Sequence, residues 1–125
     1  MPHVFKIVSR ANGQFGVQFS YNSEIIVWSE SYVAKKSAEN CIASLQKNAP
    51  EAGVADLTKD EAGKGYRFEI VGSKDKQTFV RFVAANGETM LRSETYKSKS
   101  SAKHAIASIK KNAPGAKTVD MTATA

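Results

Sequence analysis

The chain holds one cysteine, one tryptophan, two histidines and three prolines, and each scarcity removes a class of explanation. A lone Cys41 makes no internal disulfide, so a stapled secreted framework is excluded. His3 and His104, far apart in sequence, show no zinc-ligand spacing. Apolar runs stop at four or five residues, against the ~20 a bilayer-spanning helix needs. There is no glycine-rich phosphate loop, no RNA-binding signature and no cofactor motif. Met1-Pro2-His3 leads straight into Val4–Val8, without a charged, apolar and cleavable export signal. A soluble protein of the cytoplasm, with no membrane association and no bound cofactor, is the expectation.

The 42% hydrophobic and 24% charged content of the 125 residues suits one globular core rather than disorder. The formal charge of +6 is lopsided: residues 1–62 carry six Lys/Arg against seven Asp/Glu, and residues 63–125 carry twelve against five. A basic half attracts polyanions nonspecifically, but the same charge also serves solubility.

The chain repeats itself. Ser29-Glu30-Ser31-Tyr32 returns as Ser93-Glu94-Thr95-Tyr96, Ile42-Ala43-Ser44-Leu45 as Ile106-Ala107-Ser108-Ile109, and Lys47-Asn48-Ala49-Pro50 as Lys111-Asn112-Ala113-Pro114, all displaced by 64 residues. Phe5-Lys6-Ile7-Val8 matches Phe68-Glu69-Ile70-Val71 at 63, so one residue has been gained or lost near residues 20–22. The repeats run over about 4–58 and 66–122, and the polar, glycine-containing segment 59–65 joins them as a flexible linker inside a single domain.

Each copy predicts three strands, a helix and a short final strand. First strands fall at 4–9 and 66–72, second strands at 15–21 and 78–84, third strands at 24–29 and 88–93. Asn12-Gly13, Asp75-Lys76, Asn22-Ser23 and Asn86-Gly87 supply turns. Ala38, Cys41, Ile42, Leu45 and Ala102, Ala105, Ile106, Ile109 fall on one helical face each. Ser37 and Ser101 are the expected N-caps, and Asn48 and Asn112 the expected left-handed C-caps before a proline. Val54–Leu57 and Thr118–Met121 complete the units. A unit of this size is marginal alone, so the two share a core about a pseudo-twofold axis, and a monomer is expected.

The combined pattern of Ser-Glu-x-Tyr, Ser-Ala, Ile-Ala-Ser and Lys-Asn-Ala-Pro resembles the YegP-like family of small uncharacterised bacterial proteins, over both copies. Cys41 and Ala105 depart from the small residue, often glycine, of that pattern. The resemblance implies an α+β fold in which two β-β-β-α-β units share one antiparallel sheet with both helices on one face and exchange their C-terminal strands. It implies no activity, substrate or partner.

Few residues invite chemistry. Glu30 and Glu94 precede the helices beside Tyr32 and Tyr96, where a carboxylate favoured by the helix dipole and a tyrosine covering the sheet edge explain both without catalysis. Cys41 reads as a buried inert thiol, and His3 and His104 as surface residues without partners. No catalytic or metal site is assigned, and the protein is not expected to be an enzyme.

Strand alternation is more informative. With Phe5, Ile7, Val17, Phe19, Phe68, Ile70, Val80 and Phe82 inward, Gln18, Ser20, Phe79, Arg81 and Val83 point outward. On the third strands Ile25, Val27 and Leu91 turn inward, and Ile26, Trp28, Met90 and Arg92 outward. Ile26, Trp28, Phe79, Arg81, Met90 and Arg92 therefore form a candidate binding surface for a protein or peptide partner. The alternative is low-specificity nucleic-acid binding through the basic second repeat and these aromatic and arginine side chains.

Overall fold

The computed structural model describes residues 3–21, 24–61 and 63–122, without the side chain of Asp75. Repeat 1 supplies strands β1 (His3–Arg10), β2 (Gln14–Tyr21) and β3 (Glu24–Ser29), helix α1 (Lys35–Asn48) and strand β4 (Gly53–Asp56). Repeat 2 supplies β5 (Arg67–Gly72), β6 (Thr78–Val83), β7 (Thr89–Ser93), helix α2 (Lys99–Asn112) and β8 (Lys117–Asp120).

All eight strands join one sheet in the order β4-β5-β6-β7-β3-β2-β1-β8. The two meanders meet where β3 pairs antiparallel with β7, Trp28 opposite Arg92. Each C-terminal strand crosses to the other repeat: β4 lies parallel to β5, with Val54 opposite Phe68, and β8 lies parallel to β1, with Thr118 opposite Phe5. Strand exchange is thus present. It makes the sheet mixed, which corrects the wholly antiparallel expectation: a helix separates each final strand from its own meander and brings it back beside a neighbour of like direction.

Both helices pack on the same face and close one core. Phe5, Phe19, Phe68, Phe82, Leu45 and Ile109 are fully buried there, with ring centroids 4.7 Å apart for Phe5–Phe19 and 5.0 Å for Phe68–Phe82. Each such side chain contributes on the order of 1.5–3 kcal/mol on leaving water. The eight inward residues of the first and second strands are all buried.

The Ser-Glu-x-Tyr motif closes each meander. Ser29 Oγ accepts from Val17 N–H at 2.8 Å and donates to Glu30 O at 2.7 Å, and Ser93 repeats this with Val80 and Glu94 at 2.9 and 2.8 Å. Tyr32 and Tyr96 then bridge back to Phe15 and Thr78 through paired backbone bonds.

Local expectations fare unevenly. Asn12 and Gly13 take the positive φ of a tight turn, as do Lys76 and Gly87, while Asn22-Ser23 lies outside the described residues. Helix α1 starts behind Ala34, whose side chain has nothing to donate or accept, and α2 behind Ser98, whose hydroxyl accepts from Ser101 N–H at 3.2 Å. Both helices therefore begin before Ser37 and Ser101. Asn48 and Asn112 stay right-handed, each side chain bonding back to Ser44 O or Ser108 O at 2.9 Å, and a 3-10 turn containing the proline follows. Proline suits the first positions of such a turn, so it redirects the chain without a left-handed cap.

The largest correction concerns β3 and β7. Phe19 pairs with Val27 but Ser20 with Ile25, and Phe82 pairs with Leu91 but Val83 with Thr89. Ile26 and Met90 are the extra residues of two equivalent β-bulges, and both pack against the core rather than facing outward. Ile25, expected inside, is 37% exposed instead. Ser20 and Val83 keep their outward register but are fully covered.

Candidate functional site

The sheet face opposite the helices is read off the pairing: Lys6, Arg10, Gly16, Gln18, Trp28, Arg92, Phe79, Arg81, Arg67 and Glu69 alternate with inward core residues. Four of the six sequence-derived candidates, Trp28, Phe79, Arg81 and Arg92, lie here. Ile26 and Met90 do not, for the bulges turn them to the helix side.

At the centre, where the repeats meet, a cavity of about 350 Å³ opens between the end of β3 and β7. Arg10, Trp28, Glu30 and Arg92 line it with the chain at Ser29, Ser31 and Thr89–Leu91. Arg10 is held by its own sheet, donating to Ser29 O at 2.7 Å. Its guanidinium lies flat on Gly16, where an added Cβ would overlap it. Phe79 stands at the equivalent place in repeat 2, and there the guanidinium of Arg92 stacks 4.6 Å from the ring centroid. Each repeat thus lays a guanidinium over one β-strand position, from different strands and by different chemistry.

Farther along repeat 2, Glu69 is 5% exposed between Arg67 Nε at 2.8 Å and Arg81 Nε at 2.6 Å. Burial pushes its carboxyl up, and the two guanidiniums more than reverse this, so it titrates below the ordinary glutamate value. Repeat 1 has Val4, Lys6 and Gln18 in these places, so the clamp is particular to one half. The linker shields the same half: an added Cβ on Gly63 would overlap Arg67 Cδ and lie 3.4 Å from Ala55 Cβ. Of the surface expected from sequence, Arg81 is thus tied to Glu69, and Trp28 and Arg92 remain beside the cavity.

The other chemistry-bearing residues sit on the helix side. Cys41 is 3% exposed, and burial raises its thiol despite the opposing influence of the neighbouring Tyr32 hydroxyl. Burial also raises both Tyr32 and Tyr96. His3 is no free surface residue: it is half-buried, stacks 5.4 Å from Phe19, lies tilted 4.6 Å from Tyr21, and its Nε2 lies 3.2 Å from Ser108 Oγ. Burial lowers its pKa. The sequence signal for this was the alternation placing His3 on the face of Phe5. His104 is exposed.

No group of three or more metal-ligating side chains gathers among the described residues. No described helix is long and apolar enough to cross a membrane.

Comparison with known proteins places these features in a family. The model of DUF1508, a domain of unknown function, matches twice, over residues 11–56 and 73–120. A UPF0339 protein of Bordetella pertussis is 40% identical over 112 residues, covering 86% of this chain and 89% of its own. A UPF0339 protein of Agrobacterium fabrum is 58% identical over 57 residues, which is 46% of this chain but 92% of that one, so it spans a single repeat. The solution structure of yegP from E. coli, a protein of unknown function, superimposes with a TM-score of 0.78 at 27% identity, covering all of this chain and 97% of that one.

Proposed function

Given that the chain belongs to the DUF1508 family, whose description names no activity, we propose that it is a noncatalytic interaction module whose open sheet face receives an extended, acidic segment of a partner protein. The observation that carries this reading is the central cavity, with Trp28, Arg10 and Arg92 in its lining. About 350 Å³ accepts one apolar side chain as an anchor, and the arginines favour carboxylates beside it. Glu30 is the one carboxylate of the lining, so the segment's acidic residues belong on the Arg10 and Arg92 sides.

The same geometry weakens the case for nucleic acid. Base stacking needs bare rings, and the outer face of Phe79 is occupied by Arg92, which leaves Trp28 as the one platform of the central surface. The basic charge of repeat 2 remains as nonspecific attraction. A buried single thiol suits the reducing cytoplasm, where we place the protein, acting as a monomer.

Trp28 is the only tryptophan, so its emission reports directly on this surface. Titration with a short acidic peptide carrying one central leucine is expected to shift that emission saturably. Arg92→Gln is expected to weaken binding roughly five- to tenfold, with modest salt dependence. Equal or stronger response to single-stranded oligonucleotides, lost steeply with salt, would favour the nucleic-acid reading instead. An unchanged spectrum with both would remove the open face as a binding surface.

A further inference from the structure

The bulge that turns Ile26 inward opens a second concavity, of about 470 Å³, between β3 and α2 on the helix side of the sheet. Its walls are Ile26, Ala105 and the rings of His3, Tyr21 and Tyr96. Glu24, Ser101 and His104 stand with them as polar groups. The pseudo-twofold supplies an internal control, since the equivalent cleft between β7 and α1 measures about 260 Å³. There Met90 replaces Ile26, Cys41 replaces Ala105, Ala84 replaces Tyr21, Tyr66 replaces His3 and Asn40 replaces His104, while Tyr32 and Glu88 match Tyr96 and Glu24, so the two clefts differ in size and in their rings rather than in charge.

From the larger volume and the added ring of Tyr21 we infer that the cleft of α2 is a binding site for a small arylalkylamine, its ring held among His3, Tyr21, Tyr96, Ile26 and Ala105 and its ammonium directed to Glu24. The volume lies within the range of small-molecule sites, and apolar walls with a few polar groups are their usual lining. The lining holds one carboxylate and no lysine or arginine, so it favours a cation over an anion. Burial disfavours the charged form of His3, which lessens competition from a second positive charge. Tyrosine faces stabilise an organic cation further.

Binding rather than turnover is what the geometry offers. His3 Nε2 and Ser108 Oγ are at nucleophile–base distance, 3.2 Å. Ser108, however, lies inside α2, where backbone N–H groups are committed to the helix and none is free to stabilise an oxyanion.

Tyramine is the probe, followed by side-chain and methyl NMR on the full chain. Saturable shifts at Ile26 and Ala105, with Met90 and Cys41 unmoved, are expected. Glu24→Gln, an exposed position, should weaken binding roughly three- to tenfold. Ala105→Cys, which restores the side chain of the smaller cleft at a site where repeat 1 already tolerates it, should weaken it as well. The proposal is overturned if 3-(4-hydroxyphenyl)propionate binds as tightly as tyramine, if both clefts shift alike, if either variant binds unchanged, or if no saturation is reached.

Discussion

Ser29 and Ser20 are both buried serines on adjoining strands, yet they should respond oppositely to the loss of their hydroxyls. Ser29 Oγ is the partner of Val17 N–H, so Ser29→Ala strands a buried donor and should cost about 1–3 kcal/mol by urea denaturation. Ser20 Oγ is buried without a partner among the described residues, so Ser20→Ala should be neutral or stabilising. The same logic gives a pH dependence. Lys99 lies 2.8 Å from Asp56 and Thr58 bonds the same carboxylate; this Lys99 contact and the Thr58 bonds draw Asp56 from 3.8 down to about 2. In the other repeat Thr122 and Lys35 do this to Asp120, also to about 2. A depressed carboxyl pKa stabilises the fold above the unfolded value and loses that contribution as pH falls through the folded one. Urea midpoints should therefore drop between pH 4 and 2, and Asp56→Asn should flatten part of that slope while lowering the midpoint at neutral pH.

Among the elements, the bulged third strands separate what alternation can tell from what it cannot. Ile25→Lys places a charge where the side chain is already 37% exposed, and should change stability by less than about 0.5 kcal/mol. Ile26→Lys drives a charge against α2 and should cost about 2 kcal/mol or more, the reverse of what simple alternation from Trp28 implies. Denaturation midpoints of the two variants decide it. The repeats, the meanders, both helices and the inward set on β1, β2, β5 and β6 were legible because period and displacement are written into the residues themselves. The bulges were not: Ile25-Ile26 offers two equivalent side chains, and nothing in composition says which of them the extra residue is. Strand exchange was equally hidden from the residues, since Val54–Asp56 fits β1 or β5 alike, and it came only with the family resemblance. Of the candidate surface, the outward direction of Trp28 and Arg92 follows from strand alternation, whereas the place of Arg10 beside the cavity depends on its reach over Gly16, a contact between strands that the sequence does not display.

For the whole molecule, the exchanged strands make the two repeats mutual clients. Each final strand ends in an Asp–Thr turn that a lysine at the start of the other repeat's helix grips, Asp56 with Lys99 and Asp120 with Lys35. One chain therefore contains both halves of a twofold assembly, and light scattering should return a single chain mass. Separately expressed halves, cut within the linker, should re-form a one-to-one complex when mixed. A relative spanning a single repeat would need a second copy to obtain the same parallel edge. Duplication frees the two halves to diverge, and they have done so on the open face, where repeat 2 carries the Arg67–Glu69–Arg81 clamp under the linker and the cavity at the repeat junction stays open. The most direct test of that face as the working surface is an amide chemical-shift map of the labelled protein with the acidic peptide at near-physiological salt. Saturable shifts gathered on Arg10, Gln18, Trp28, Glu30 and Arg92, with the helices unmoved, are predicted; shifts confined to the helix side, or none that saturate, would contradict the account.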